Sequence, residues 1–332
     1  WLEQGPGPIT GNTNVIFPAA QNNPTTGAIQ AVVAHPTNAA VMYVGTVGGG
    51  VWGTRNAPTG NAVPTTPPTW TPLTDQFPSL AIGTLAFDVS NVNVIYAGTG
   101  SFSSRLIASD PRAAVGLLRG TINPVDGSVV WSVLGRPILD GHRITGIVAN
   151  GNIIMVSADE DGLPGSGDGK FLFRSTNGGA SFTAITKDTA NNPLGRVTDL
   201  VVVPTSPNIM YISVLQTGVV DRGKGVYRSA DSGATWTQIN ANVAGDPNGP
   251  GLEVLDGVNG DGVSGADNLG DDISRAVRIR LAIHDNAGVQ AVYVALVGPT
   301  QATGPGFGTY VFRSAGIGAT PSWQSVGEPL SN

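Results

Sequence analysis

The chain is a succession of short apolar runs separated by residues that favour turns. Its Val, Ile, Thr, Asn and Gly content reads as many short strands joined by turns. One pattern recurs: a small residue, an aromatic, then an aliphatic three positions on. It occurs as Thr69-Trp70-Thr71-Pro72-Leu73, Val130-Trp131-Ser132-Val133-Leu134, Ser181-Phe182-Thr183-Ala184-Ile185, Thr235-Trp236-Thr237-Gln238-Ile239 and Ser322-Trp323-Gln324-Ser325-Val326. Upstream of each copy lies a second run: Val51-Trp52-Gly53-Thr54, Leu117-Leu118-Arg119-Gly120, Leu172-Phe173-Arg174-Ser175, Val226-Tyr227-Arg228-Ser229 and Val311-Phe312-Arg313-Ser314. Further upstream come Val41 to Gly45, Val94 to Gly98, Ile153 to Val156, Ile209 to Ile212 and Val292 to Ala295. The first run of each unit is Ile29 to Val33, Ile82 to Phe87, Ile144 to Val148, Val197 to Val203 or Ala276 to Ile283. Each unit is thus four strands in order.

One four-stranded sheet cannot bury both faces, whereas sheets stacked radially can. The expected fold class is all-β: a β-propeller of four-stranded antiparallel blades, with five repeat units recognisable and the whole forming part of a larger propeller. A β-sandwich is the alternative, but it does not need the same strand sequence five times over. The expected blades span about 28–75, 82–135, 144–186, 197–240 and 274–327, within a propeller region 28–327. Residues 1–27 read as an N-terminal extension with a leading strand, 245–273 as an acidic insertion, and 328–332 as a linker toward a further C-terminal region. The start at Trp1, without methionine or leader, suggests a mature or trimmed product.

Composition narrows the function classes. The chain has 332 residues, a formal charge of −6 and only 12% charged residues. No basic stripe is visible, so nucleic acid is not an expected partner. No apolar run approaches about 18 residues, so direct membrane insertion is not expected. Cysteine is absent, which excludes disulfides, cysteine nucleophiles and thiolate metal sites.

Ser229-Ala230-Asp231-Ser232-Gly233-Ala234-Thr235-Trp236 matches the Asp-box pattern Ser-x-Asp-x-Gly-x-Thr-Trp at every fixed position. Ser175-Thr176-Asn177-Gly178-Gly179-Ala180-Ser181-Phe182 is a softened copy. The chain therefore resembles the Asp-box (BNR-repeat) propellers, the superfamily of sialidases, xyloglucanases and sortilin-type receptors. Gly48-Gly49-Gly50-Val51-Trp52 followed by Trp70 to Asp75 looks like large bacterial exoproteins of that superfamily. The resemblance implies a secreted, extracellular or cell-surface protein. It also implies that the Asp-box turns lie at the outer rim, where Ser229, Asp231, Gly233 and Trp236, with Ser175, Asn177, Gly179 and Phe182, play a structural part. The Asp carboxylate accepts N–H groups of its own turn and the aromatic packs between sheets.

Catalytic chemistry is hard to place. A glycosidase of the usual kind needs two carboxylates across the scissile bond. The glutamates Glu3, Glu160, Glu253 and Glu328 all lie outside the repeated strands, and the Arg-Ile-Pro start that the resemblance implies for sialidases is missing. No catalytic residue is assigned, and the chain is expected not to be an enzyme. The alternative is a glycoside hydrolase whose carboxylates are not identifiable here.

Two clusters rise above background. Arg143, Arg196 and Arg275 each precede a first strand, where three guanidiniums at one face would hold an anion. The competing reading pairs each with an acid near it in sequence: Asp140, Asp199 or Asp272. The acidic insertion offers Asp256, Asn259, Asp261 and Asp267 as oxygen ligands on a glycine-rich loop, the chemistry of Ca2+, against the reading of a solvated loop. Calcium is the one cofactor expected.

Taken together, the expected function is that of a non-catalytic extracellular propeller module of a larger exoprotein, serving surface structure, self-assembly or recognition. Its partners would be further copies of the chain, or another cell-surface protein or glycan.

Overall fold

The computed structural model describes residues 28–60, 67–100, 114–159, 169–215, 224–240, 276–286, 288–297, 309–319 and 322–327. The N-terminal extension, the acidic insertion with its four proposed calcium ligands, Arg275 and the C-terminal linker lie outside them.

The described residues are all-β. They form β1 (Ile29–His35), β2 (Asn38–Thr46), β3 (Val51–Thr54), β4 (Thr71–Pro72), β5 (Ile82–Asp88), β6 (Asn91–Thr99), β7 (Leu117–Ile122) and β8 (Val129–Leu134). There follow β9 (Arg143–Asn150), β10 (Ile153–Asp159), β11 (Leu172–Ser175), β12 (Thr183–Ala184), β13 (Arg196–Val203), β14 (Ser206–Leu215), β15 (Gly225–Ser229) and β16 (Thr237–Gln238). The last are β17 (Arg278–Asn286), β18 (Val289–Val297), β19 (Thr309–Ser314) and β20 (Trp323–Gly327). Three four-stranded sheets keep chain order, β1-β2-β3-β4, β13-β14-β15-β16 and β17-β18-β19-β20, and within an eight-stranded sheet the runs β5-β6-β7-β8 and β9-β10-β11-β12 keep it as well. Two-residue turns return each first strand antiparallel beside its second, as between His35 and Asn38 or Val203 and Ser206, while longer connections lead to the third strands. The outermost strands β4, β12 and β16 are only two residues long. Short edges limit unwanted edge-to-edge pairing.

The chain divides into two compact units, one running to Ile144 and the other beginning at Thr145. In the first, Val41, Tyr43, Val51, Ile82, Ile95, Leu118 and Ile122 form a buried cluster, with Trp131 and Leu73 packed against it. In the second, Met155, Leu172, Val197, Met210, Ile212, Tyr227 and Trp236 form one cluster, and Tyr211, Val226, Ile279, Val294, Phe312 and Trp323 belong to another. The second strands are the most deeply buried, since both of their faces are covered.

Sheet-to-sheet spacing is set at one register position. Near the start of the third strand the facing second-strand residue is Gly45 opposite Val51, Gly98 opposite Leu117, Ser157 opposite Leu172, and Ser213 opposite Val226, the second residue of β15. All four are small. At Gly45 and Gly98 an isoleucine from the following first strand fills the space: Ile82 against Gly45 and Ile144 against Gly98. At Ser157 and Ser213 a hydroxyl pair replaces it. Thr145 Oγ1 lies 2.8 Å from Ser157 Oγ and donates to the Val197 carbonyl, and Thr198 Oγ1 lies 3.0 Å from Ser213 Oγ, which donates to the Ile279 carbonyl.

Candidate functional site

A second cross-sheet device explains where a site can form. The third-strand residue facing a large second-strand side chain is an arginine in most copies: Arg119 opposite Tyr96, Arg174 opposite Met155, Arg228 opposite Tyr211 and Arg313 opposite Tyr293. Arg174 Nε donates to the Ser232 carbonyl at 2.9 Å, and Arg228 Nε to the Ile317 carbonyl at 2.9 Å, so each reaches the turn between third and fourth strands of the next sheet. The Tyr211 hydroxyl donates to the same Ile317 carbonyl at 2.7 Å. Charge-assisted bonds of this kind latch one sheet to the next.

The first sheet departs from the pattern. Opposite Tyr43 stands Gly53, which has no side chain to form the latch. Arg55, two residues on, takes over from outside: it lies against Gly127 and its Nη2 reaches the Pro124 carbonyl at 3.5 Å, in the turn between β7 and β8. Displacing the arginine outward leaves a groove of 510 Å³ lined by Tyr43, Gly53, Thr54, Arg55, Asn56, Thr69, Thr71, Leu73, Asp126, Gly127 and Ser128. That volume lies in the range of small-molecule sites. The whole groove belongs to the first unit.

Several polar groups of the groove are not used up by the fold. Tyr43 is 2% exposed, yet its hydroxyl has no hydrogen-bond partner among the described residues, unlike Tyr96, which bonds Arg119, and Tyr211. Burial pushes the Tyr43 phenol pKa up, with Arg55 pulling the other way, so the hydroxyl stays protonated and able to donate. Asn56 Oδ1 accepts from the Thr69 N–H at 2.7 Å and the Thr54 hydroxyl at 2.9 Å, which orients the side chain. Asp126 Oδ1 accepts both the N–H and the hydroxyl of Ser128, at 2.8 and 2.7 Å. Those bonds from Ser128, helped by Arg55, hold the Asp126 carboxyl below the usual carboxylate range, so it is ionised at neutral pH. No ion pair joins Arg55 to Asp126, although both line the groove.

The groove was not anticipated from the sequence. Its one sequence signal is Gly53, which breaks the run of third-strand arginines at 119, 174, 228 and 313.

Of the three arginines of the anticipated anion site, Arg275 lies outside the described residues and the other two belong to different units. Arg143 opens β9 in the first unit and packs against Gly100. Arg196 opens β13 in the second unit and pairs through Nε with Asp159, whose side chain is buried, at 2.7 Å. The acids near these arginines in sequence have other partners: Asp140 pairs with Arg136 at 2.9 Å, and Asp199 lies 3.7 Å from Arg280 while accepting the Leu281 N–H. Among the described residues no cluster of His, Asp and Glu could hold a metal ion.

The two turns whose sequences match the Asp-box pattern share one bonding arrangement. Ser229 Oγ donates to Asp231 Oδ1 at 2.7 Å and accepts the Gly233 N–H at 2.9 Å, while Asp231 accepts the N–H and hydroxyl of Thr235 at 2.9 and 2.6 Å. Ser175, Asn177, Gly179 and Ser181 repeat it, with Asn177 Nδ2 donating to Ser181 Oγ. Trp236 is wholly buried and donates from Nε1 to the Gly233 carbonyl, and Phe182 is also buried. For Asp231, burial is the largest single influence and raises its pKa. The bonds from Thr235 and Ser229 together outweigh it, so the net shift is downward. A depressed folded pKa contributes stability at neutral pH that is lost as pH falls through it. The stability gap between wild type and Asp231→Asn should therefore be present at pH 7 and shrink below about pH 4. It should be small, because solvent screens this exposed turn. Urea unfolding at pH 7 and pH 2.5 measures it, and a gap that does not change with pH would refute the assignment.

Comparison with solved structures identifies the architecture. The chain is similar to an ancestral GH74 enzyme with a TM-score of 0.52 and 19% identity, covering 90% of this chain and 31% of that one. It also matches a GH74 enzyme of Niastella koreensis (TM-score 0.48, 17% identity, 89% and 38% covered) and a GH74 xyloglucanase from Xanthomonas campestris (0.47, 15%, 92% and 39%). The chain spans about a third of the length of these neighbours. No family model matches the chain, and neither does any curated protein sequence. The likeness is one of fold, and it makes the chain a β-propeller.

The same finding corrects the expectation that the chain is not an enzyme. The architecture it shares is that of a GH74 enzyme, so the fold gives no ground for setting enzymes aside. The expectation leaned on the placement of all four glutamates outside the repeated strands and on the missing Arg-Ile-Pro start. Binding and catalytic groups concentrate on the loops that a rigid scaffold positions, so strand composition does not decide the matter.

Proposed function

We propose that this chain is a ligand-recognition segment of an extracellular β-propeller protein, and that the groove between the first two sheets is where it binds. The observation that carries this reading is the missing latch. Gly53 replaces the arginine and Arg55 spans to Pro124 from outside, leaving Tyr43 with an unpartnered hydroxyl beside a 510 Å³ groove. The Tyr43 hydroxyl makes no hydrogen bond to another described residue and faces the groove, so a ligand seated there can bond it. Mild acidity and few long charged side chains suit contact with other surface components, since little charge must be desolvated.

Ligand-observed NMR with a library of small polar fragments tests the reading, using Gly53→Arg as the control. The arginine restores the residue type found at 119, 174 and 228, and because a Cβ at 53 would stand 3.1 Å from Leu73 Cδ1 and Tyr43 Cε1, unchanged thermal unfolding of the variant is required before its binding is compared. Fragments that bind wild type and are lost in Gly53→Arg are the expected result. Failure of every fragment to bind, or equal binding by both proteins, would overturn it.

A further inference from the structure

Recognition by the groove leaves the ligand class open, and the placement of charge narrows it. Among the described residues the groove holds one cation, Arg55, and one anion, Asp126, near enough for Arg55 to depress the Asp126 carboxyl and yet not joined in an ion pair. Each is held by uncharged protein groups. Arg55 is braced on Gly127 and the Pro124 carbonyl, and Asp126 Oδ1 is occupied by the two Ser128 bonds. Free guanidinium N–H groups and the second carboxylate oxygen are thus left for a guest. The formal charge of this pair is zero, so a singly charged guest gains from one wall and is repelled by the other. A guest that carries both charges gains from both. The groove is also lined by the polar residues Tyr43, Asn56, Thr69 and Thr71, and by Leu73.

We infer that the groove binds a small zwitterion of the amino-acid type, its carboxylate held by Arg55 and its ammonium by Asp126. The inference rests on the recognition reading above. A planar guanidinium holds a carboxylate through parallel bonds, and a carboxylate is the natural acceptor for an ammonium. The apolar surface of Leu73 and Tyr43 suits an uncharged side chain on the guest.

The test is calorimetric titration of the full chain with each of the twenty standard amino acids. For every one that binds, its amide, which keeps only the ammonium, and its N-acetyl form, which keeps only the carboxylate, are titrated as well. Binding by at least one amino acid is expected, weakened about tenfold or more by removal of either charge. Arg55→Gln and Asp126→Asn should weaken it to a similar degree. Asp126→Asn keeps an oxygen for Ser128, so the turn survives, and unchanged thermal unfolding of both variants without ligand confirms that the fold is intact. If an amide or N-acetyl form binds as well as its parent, or no amino acid binds while fragments do and are lost in Gly53→Arg, the zwitterion assignment is wrong and the groove reading stands. If neither amino acids nor fragments bind, both are wrong.

Discussion

Replacing Trp236 by alanine should lower the unfolding free energy by about 3–5 kcal/mol. The indole has no exposed surface, and it sits in a cluster with Met155, Leu172, Tyr227 and Val197. Its removal therefore loses the transfer free energy of a large aromatic and leaves a cavity that the flanking strands cannot close. The Nε1 bond to the Gly233 carbonyl goes with it. Gly233 cannot move in to compensate. It sits at φ +78°, and a Cβ built there would lie 2.5 Å from Met155 Sδ. Urea unfolding followed by circular dichroism measures the change, and a loss under 1 kcal/mol would show that the turn does not anchor the sheet.

Gly98→Val should cost about 3 kcal/mol, through overpacking and not through a cavity. A Cβ at Gly98 would stand 2.5 Å from Ile144 Cγ2, 2.7 Å from Ile144 Cβ and 2.8 Å from Thr84 Cγ2. Ile144 Cβ is tied directly to the backbone of β9, so the strand itself must shift. Valine adds two methyl groups to that conflict. Gly48→Ala is the matched control: nothing lies within 4 Å of its Cβ position, and its stability should stay within about 0.5 kcal/mol of wild type. Equal effects of the two substitutions would remove Gly98 from its role as a spacer.

Both predictions concern positions visible in the sequence, for different reasons. Trp236 is named by the Asp-box pattern that ends on it, a local signal because all the bonds of the turn fall within five residues. Gly98 stands beside Gly45 in the aligned second strands, but its partner Ile144 is 46 positions away, so only packing reveals why it must be small. The fourth strands were placed correctly by their aromatics, but in the sheets containing Trp70, Phe182 and Trp236 the paired segment is only the two residues after the aromatic. In those sheets the aromatic belongs to the turn and not to the ladder. The arginines at the starts of first strands were picked for their recurrence, which says nothing about partners. Arg196 pairs with Asp159, on the preceding second strand, and not with Asp199 three residues away. Strand direction explains this: successive side chains point to opposite faces and a bulge at Val197/Asp199 redirects the chain, so nearness in sequence does not mean nearness of charges.

The sequence by itself determined the strand order, the antiparallel pairing and the Asp-box turns, because each depends on residues a few positions apart and on an apolar pattern repeated along the chain. Only the tertiary structure decided that a missing arginine at Gly53 opens a groove, that Arg55 crosses 69 positions to reach Pro124, and that Asp126 stands in the same groove without pairing to it. Those facts depend on how one sheet meets the next. Side chains from distant parts of the chain meet there at a geometry set by packing, and no local pattern encodes that geometry.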